Sequence, residues 1–250
     1  MRVLCIIICL IFTFNVNADE LQLRFDKGNE YFGNGEYDKA ISTYTEIIQN
    51  GYIAAELYYN LGNSYFTKDS IPAAILYYEK AKTLKPNDED VDYNLKLANL
   101  RVLDKIEPLP QLFLMQWWSS LGRLQNSTGW SMILITSLWL AFGAGILFVA
   151  GKMLRVKRIG FLLSCVFGLC VLLAFNFSLR QYDEELNHPK AIVFSPIVYV
   201  KNSPDMNGTD LFIIHEGLKV EVVDKVGEWN KIKLVNGKVG WLASADIEII

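Results

Sequence analysis

The chain has 250 residues, a formal net charge of −3 and an apolar share of 52%. This length suits one or two domains, and the apolar share reflects long uncharged runs rather than an unusual core. The small negative charge gives no reason to expect a nucleic-acid partner.

The first 18 residues have the features of a secretory signal peptide. A basic start at Arg2 precedes a twelve-residue apolar region, 3–14, and a short polar stretch. Val16 and Ala18 are the small residues expected before a cut after Ala18. A region of twelve residues is short for a bilayer span, so an uncleaved anchor is the lesser alternative. The sequence therefore predicts export of the segment that follows.

A self-similar pattern with a period of 34 residues occupies 21–88. Small residues at Gly62 and Ala74 allow paired helices to approach, and Pro86 ends the second helix of a pair. The pattern resembles the tetratricopeptide consensus. It predicts a domain over 19–104, with repeats at 21–54 and 55–88 and a capping helix at 89–104. The residues that recur 34 positions later are Gly28, Asn29, Tyr31, Phe32, Ala40, Ile41 and Tyr44.

The first helices of such repeats line a concave groove that binds partner proteins. Phe32 and Phe66 have the alternative of packing between the repeats. Asn29 and Asn63 resemble the asparagines with which chaperone-binding tetratricopeptide domains hold a terminal carboxylate, although Phe25 and Asp90 stand where that family has lysine. Residues 19–104 carry 15 acids and 9 bases, which favours a basic or neutral partner. The candidate groove residues are Phe25, Asn29, Phe32, Tyr59, Asn63 and Phe66.

The segment 105–129 is rich in large apolar side chains. They include Leu112, Phe113, Trp117 and Trp118. Such a composition just before a long apolar run predicts an amphipathic helix in the membrane interface. A docking surface for another membrane protein is the alternative.

Two uncharged runs, 130–151 and 159–179, are long enough to cross a bilayer. The alternative, a pair of buried helices in a soluble protein, fits less well because both runs have the length of a span. The turn between them, 152–158, carries four positive charges and no acid. Because Lys and Arg mark the cytoplasmic side, both ends of the chain are expected on the other side.

After a linker at 180–190, the pattern changes to short alternating runs at 192–194, 197–200, 218–223, 229–234 and 239–242. Asn236-Gly237 predicts a hairpin between the last two runs. Over 191–250 the order of these motifs resembles bacterial SH3-like domains, which implies a small barrel. Trp229 and Trp241 are expected in the core and at the rim of that barrel rather than in a ligand cage.

The cysteines and histidines indicate no catalytic or metal site. Cys165 and Cys170 lie five apart in the second apolar run, which is neither a redox nor a zinc spacing. His188 and His215 have no cluster of ligands near them in the sequence, and we expect ordinary surface histidines. The chain is accordingly predicted to be non-enzymatic, without metal or cofactor.

The order of these modules resembles BatE-type proteins of the Bat aerotolerance operon. The resemblance implies a multi-domain membrane protein with an all-α tetratricopeptide repeat, two transmembrane helices and a small all-β SH3-like barrel. It implies a multi-pass place in the bacterial cytoplasmic membrane with both domains on the periplasmic side. The implied partners are von Willebrand A-type domain proteins and a MoxR-type ATPase, and the implied role is a scaffold in oxidative or envelope stress tolerance. An anchor that binds peptidoglycan through the SH3-like domain is the alternative.

Overall fold

A computed structural model describes residues 20–110 and 112–250, and the predicted signal peptide at 1–18 lies outside them. The described helices precede the strands along the chain. The helices are α1 (20–33), α2 (Tyr37–Gln49), α3 (Ala55–Thr67), α4 (Ile71–Leu84), α5 (Glu89–Arg101), α6 (Phe113–Gly122), α7 (Ser127–Ala150) and α8 (Leu154–Asn187).

The helices α1 to α5 form the predicted helical repeat. Their close packing depends on glycines, because a Cβ atom at Gly28 would lie 2.4 Å from the Tyr44 ring and one at Gly62 would lie 2.7 Å from the Tyr78 ring. Each glycine therefore gives space to the tyrosine of the next helix in its repeat. Helix α4 ends at Leu84, before Pro86, as predicted.

Helices α7 and α8 form an antiparallel pair. Each is long and apolar enough to cross a membrane, with a mean hydropathy of 2.3 over its most apolar part. Gly160 permits their close approach, since a Cβ there would lie 2.6 Å from the backbone nitrogen of Phe148. Helix α8 continues to Asn187, so most of the predicted linker at 180–190 is helical. Residues 180–187 contain neither Gly nor Pro, and Pro189 then disfavours further helix.

The predicted interfacial segment, 105–129, divides into two parts. Pro108 and Pro110 prevent helix in the first part. This part is extended along the strand domain, where the Leu109 backbone N–H donates to the Val235 carbonyl at 3.2 Å. Among the described residues of this segment, α6 is the helix that precedes the turn into α7.

The last 61 residues form one seven-stranded antiparallel sheet in the order β3-β2-β6-β5-β4-β1-β7. Gly237, with a φ of +86°, makes the predicted hairpin turn between β5 and β6. The strands are β1 (Lys190–Val193), β2 (Ile197–Lys201), β3 (Asp210–His215), β4 (Lys219–Val226), β5 (Trp229–Lys233), β6 (Val239–Ala243) and β7 (Ile247–Ile249), with a 3₁₀ turn at Ser244–Asp246.

The sheet is not the closed barrel that the SH3-like resemblance implied. Strand β1 lies between β4 and β7, so β3 and β7 are left as the two edges, and no ladder joins them in the described part of the chain. The buried core contains Val200, Ile232 and Leu242. Trp229 and Trp241 are half-buried and lie outside that core, so the expectation of a core tryptophan is wrong.

Candidate partner-binding groove of the helical repeat

Asn29, on α1, joins three helices through one oxygen atom. Its Oδ1 accepts a hydrogen bond of 2.7 Å from the Tyr44 hydroxyl on α2 and one of 2.8 Å from Asn60 Nδ2 on α3. The first helices of the two repeats, α1 and α3, are thereby linked side by side.

The same arrangement recurs 34 residues later around Asn63, on α3. Its Oδ1 accepts 2.7 Å from the Tyr78 hydroxyl and 2.9 Å from Asn94 Nδ2 on α5. Asn94 Nδ2 also donates to the Tyr59 hydroxyl at 3.0 Å. An asparagine ladder, formed by Asn29, Asn60, Asn63 and Asn94, therefore crosses all three first helices.

The ladder leaves two amide groups with spare donors. Asn29 and Asn63 use Oδ1 twice, whereas their Nδ2 groups donate to no other described residue. A side-chain amide carries two N–H donors, which suit a peptide carbonyl or a carboxylate. Both residues are half-buried, so they can be reached from solvent while they are held in place.

The two tyrosines that fix the ladder are buried, with relative exposures of 0% for Tyr44 and 1% for Tyr78. Burial raises the pKa of Tyr44 to about 12, and it also raises the pKa of Tyr78. Both hydroxyls therefore remain protonated donors at neutral pH, as in an ordinary tyrosine, and up to a higher pH than in an exposed one. They hold Oδ1 of Asn29 and Asn63 inward, which leaves Nδ2 as the free end of each amide.

The four aromatic candidates predicted from the sequence are all half-buried on the first helices. Phe25 lies 6.0 Å from the Tyr44 ring and Tyr59 lies 6.1 Å from the Tyr78 ring, measured between centroids. Phe32 and Phe66 pack against the buried clusters of the repeat. All four rings therefore pack against the buried clusters of the repeat, which agrees with the packing alternative that the sequence left open for Phe32 and Phe66.

Sequence reasoning missed Asn60 and Asn94. A signal for them exists, because Tyr59-Asn60-Leu61 recurs as Tyr93-Asn94-Leu95 at the repeat period. Helix α5, in the segment predicted as a capping helix, therefore carries its asparagine one repeat period after Asn60. Its outer side exposes Tyr93 at 63% and Leu100 at 71%, an apolar surface beside the groove.

The opposite side of the repeat, formed by the second helix α4 and the end of α5, is covered by the strand domain. Ile192 of β1 joins the buried cluster of α4. Lys219 Nζ donates to Glu79 Oε2 at 2.6 Å, and Asp104 is bound to His215. His215 is therefore not the surface histidine expected from the sequence, while His188 pairs with Glu221 at 2.9 Å.

The helices and their repeated contacts define a tetratricopeptide-type repeat. The family model described as tetratricopeptide repeat matches residues 25–89, which include all of α2, α3 and α4. No curated protein matches the chain. Repeats of this class mediate protein–protein interactions, so the groove across α1, α3 and α5 is the candidate site.

Proposed function

We propose that this protein is a non-enzymatic, membrane-anchored scaffold that binds a segment of a partner protein in the groove across α1, α3 and α5. The observation that carries the proposal is the pair of spare amide donors on Asn29 and Asn63. Two such donors one repeat apart suit the carbonyl groups of an extended peptide.

The negative charge of the repeat indicates which class of partner segment it binds. With 15 acids and 9 bases over residues 19–104, the domain attracts a neutral or basic segment and repels an acidic one. The aromatic rings of Phe25 and Tyr59, on the same helices, offer apolar contact beside the amide donors. A basic segment with one or two apolar side chains is the ligand class that fits both features.

The membrane anchor is supported by α7 and α8. Their length and hydropathy suit two spans, and the basic cluster at 152–158 between them suits the cytoplasmic side. Both soluble domains would then share the outer side, which agrees with their contact through Ile192. The BatE resemblance supports membrane partners with von Willebrand A-type domains and a role in stress tolerance as the finer form of this proposal.

The test uses substitutions that remove the donors but keep the ladder. Asn29→Asp with Asn63→Asp retains an oxygen for each tyrosine and replaces the amide group by a second acceptor. The control, Asn34→Asp with Asn50→Asp, makes the same charge change at two exposed positions of the same domain. Full-length protein is crosslinked in native membranes, and captured partners are quantified by mass spectrometry.

We expect the captured amount of a specific partner protein to fall about tenfold or more in the Asn29→Asp, Asn63→Asp variant, as for loss of a binding hot spot. The control variant should capture that partner as the wild type does. Equal capture by both variants, with unchanged helical circular dichroism, would refute binding through the groove.

A second candidate function is wall binding by the strand domain. It is favoured by the exposed outer side of β2, where Ile197 and Tyr199 are 55% and 54% exposed. Sedimentation of the full-length protein with purified peptidoglycan tests it, and Tyr199→Ser should abolish cosedimentation if this face binds the wall. Cosedimentation unaffected by Tyr199→Ser would reject this face, and no cosedimentation of the wild type would reject the function.

A further inference from the structure

A small cleft lies where α6 meets the far end of α8. Its volume is about 170 Å³, below the roughly 300–1,000 Å³ of sites for drug-sized ligands, so it suits a small group. It is open to solvent on one side and has no part in the groove described above. Its lining residues are Trp118, Ser119, Gly122, Arg123, Phe177, Arg180, Gln181 and Glu184.

The walls of this cleft are held by contacts around Phe177, which is buried. The rings of Trp118 and Trp130 each lie 4.7 Å from the Phe177 ring. The carbonyl oxygen of Gly122 accepts 2.7 Å from Gln181 Nε2 and 2.8 Å from Trp130 Nε1. The end of α6 is thus fixed against both long helices, and the cleft is preformed.

The cleft contains two arginines without an acidic partner among the described side chains. Among the described residues, the Arg123 side chain donates only to Ser120 Oγ, at 3.3 Å, and no ion pair joins Arg180 to a described carboxylate. A guanidinium group has a planar set of donors that matches phosphate oxygens. Glu184 lies in the same lining, where it offers a negative charge beside the two positive ones.

The position of the cleft favours a membrane lipid over a soluble molecule as the source of a phosphate ligand. Helix α8 changes here from apolar residues to the charged run that begins at Arg180, and α7 begins nearby at Ser127. Such a change, flanked by Trp118 and Trp130, is typical of the headgroup level of a bilayer. Helix α6 also exposes large apolar side chains, with Phe113 at 76%, as a helix in the interface does.

We propose that this cleft binds the headgroup of a zwitterionic phospholipid of the ethanolamine class. Arg123 and Arg180 bind the phosphate, and Glu184 receives the ammonium group. The inference rests on the membrane anchor of the proposed function, but it does not depend on the partner groove. A bound headgroup would fix the height of α6, and with it the helical repeat, above the membrane.

The experiment uses the full-length protein in nanodiscs of phosphatidylethanolamine with a trace of a headgroup-photoreactive analogue. We expect crosslinks in the peptides that contain Ser119 and Gln181. Arg123→Gln with Arg180→Gln should lower them about tenfold, because two charge-assisted contacts are lost. The matched control, Lys152→Gln with Arg155→Gln, removes the same charge at the other end of the hairpin and should retain them.

Three further arms separate the possible outcomes. Glu184→Gln should lower crosslinking to ethanolamine lipid more than to a glycerol-headgroup analogue. Displacement by millimolar inorganic phosphate would show a site for soluble phosphate and overturn the lipid assignment, as would crosslinking unchanged in the double arginine variant. Extraction of the wild type from membranes by alkaline carbonate would overturn both the membrane anchor and the lipid site in the cleft. If the wild type stays in the membrane but the double arginine variant crosslinks as strongly as the wild type, the lipid site alone is overturned.

Discussion

Asp104 and His215 join the helical repeat to the strand domain through two contacts. One carboxylate oxygen of Asp104, Oδ2, accepts the backbone N–H of His215 at 2.6 Å, and the other, Oδ1, lies 3.0 Å from the ring nitrogen Nδ1. Asp104 follows the end of α5, and His215 is the last residue of β3. The chain is therefore fastened to the strand domain just before it continues toward α6.

The first prediction concerns this contact. Asp104→Ala leaves the His215 N–H without its acceptor, so we expect a loss of about 1–3 kcal/mol in the free energy of unfolding. Denaturant unfolding of the full-length protein in detergent measures it, and hydrogen exchange should become faster in β3. Glu216→Ala, at an exposed neighbouring position, is the control. Equal stability of the two variants would show that the contact contributes nothing.

The second prediction concerns Glu79 and Lys219, which pair across the same interface. Glu79 is 9% exposed, so Lys219→Met leaves a mostly buried carboxylate without its cation. We expect a loss of about 1–3 kcal/mol, below the full cost for a buried pair because the Lys219 side chain is partly exposed.

Adding Glu79→Leu to Lys219→Met should restore part of that loss, since the double variant no longer buries an unpaired charge. Lys225→Met, at an exposed position of β4, is the control. A double-mutant cycle from denaturant unfolding gives the coupling. Strictly additive losses would contradict a direct interaction.

The third prediction compares two helical glycines. Gly62→Ala places a Cβ 2.7 Å from the Tyr78 ring, which must shift, so we expect a loss of about 1–3 kcal/mol. Gly33→Ala, at the last residue of α1, meets no atom within 4 Å and should gain up to about 0.5 kcal/mol, because helix propensity counts less at a helix end than in its interior. Thermal unfolding of both variants checks the sign of each effect. A neutral Gly62→Ala would mean that the two helices can separate without cost.

The repeat was predictable because its contacts are local and periodic. Gly62 and Tyr78 belong to one pair of helices, and the same spacing in Gly28 and Tyr44 makes the pattern visible without a structure. The asparagine ladder follows the same period, and the bonds from Asn60 and Asn94 could have been inferred from it.

The interface between the domains follows no such period. In the sequence, Ile192 has the pattern of an ordinary strand residue. No neighbouring residue indicates that its side chain packs on α4. His215 finds its acceptor 111 positions away, beyond any spacing rule. The open sheet was missed because β7 has three residues, too few for an alternating pattern, and its pairing with β1 decides where the sheet ends.

The last prediction concerns alkaline pH. Burial raises the pKa of Tyr44 to about 12, while the unfolded chain has the ordinary value near 10. Because the folded state binds this proton more tightly, the corresponding stability is complete below about pH 10 and is lost as the pH rises through about 12. The full-length protein should therefore lose stability in this range, as tyrosinate absorbance rises.

Tyr44→Phe separates the two roles of this residue. At neutral pH it should cost about 1 kcal/mol, since Asn29 Oδ1 loses a donor. At alkaline pH the stability of the variant should fall less steeply than that of the wild type, because the variant has no phenol to ionise at this position. Tyr93→Phe, at an exposed position, controls for the loss of one tyrosine from the absorbance. Parallel stability curves for the wild type and Tyr44→Phe from about pH 8 to about pH 12 would contradict a buried, proton-donating Tyr44 and with it the fixed orientation of the asparagine ladder.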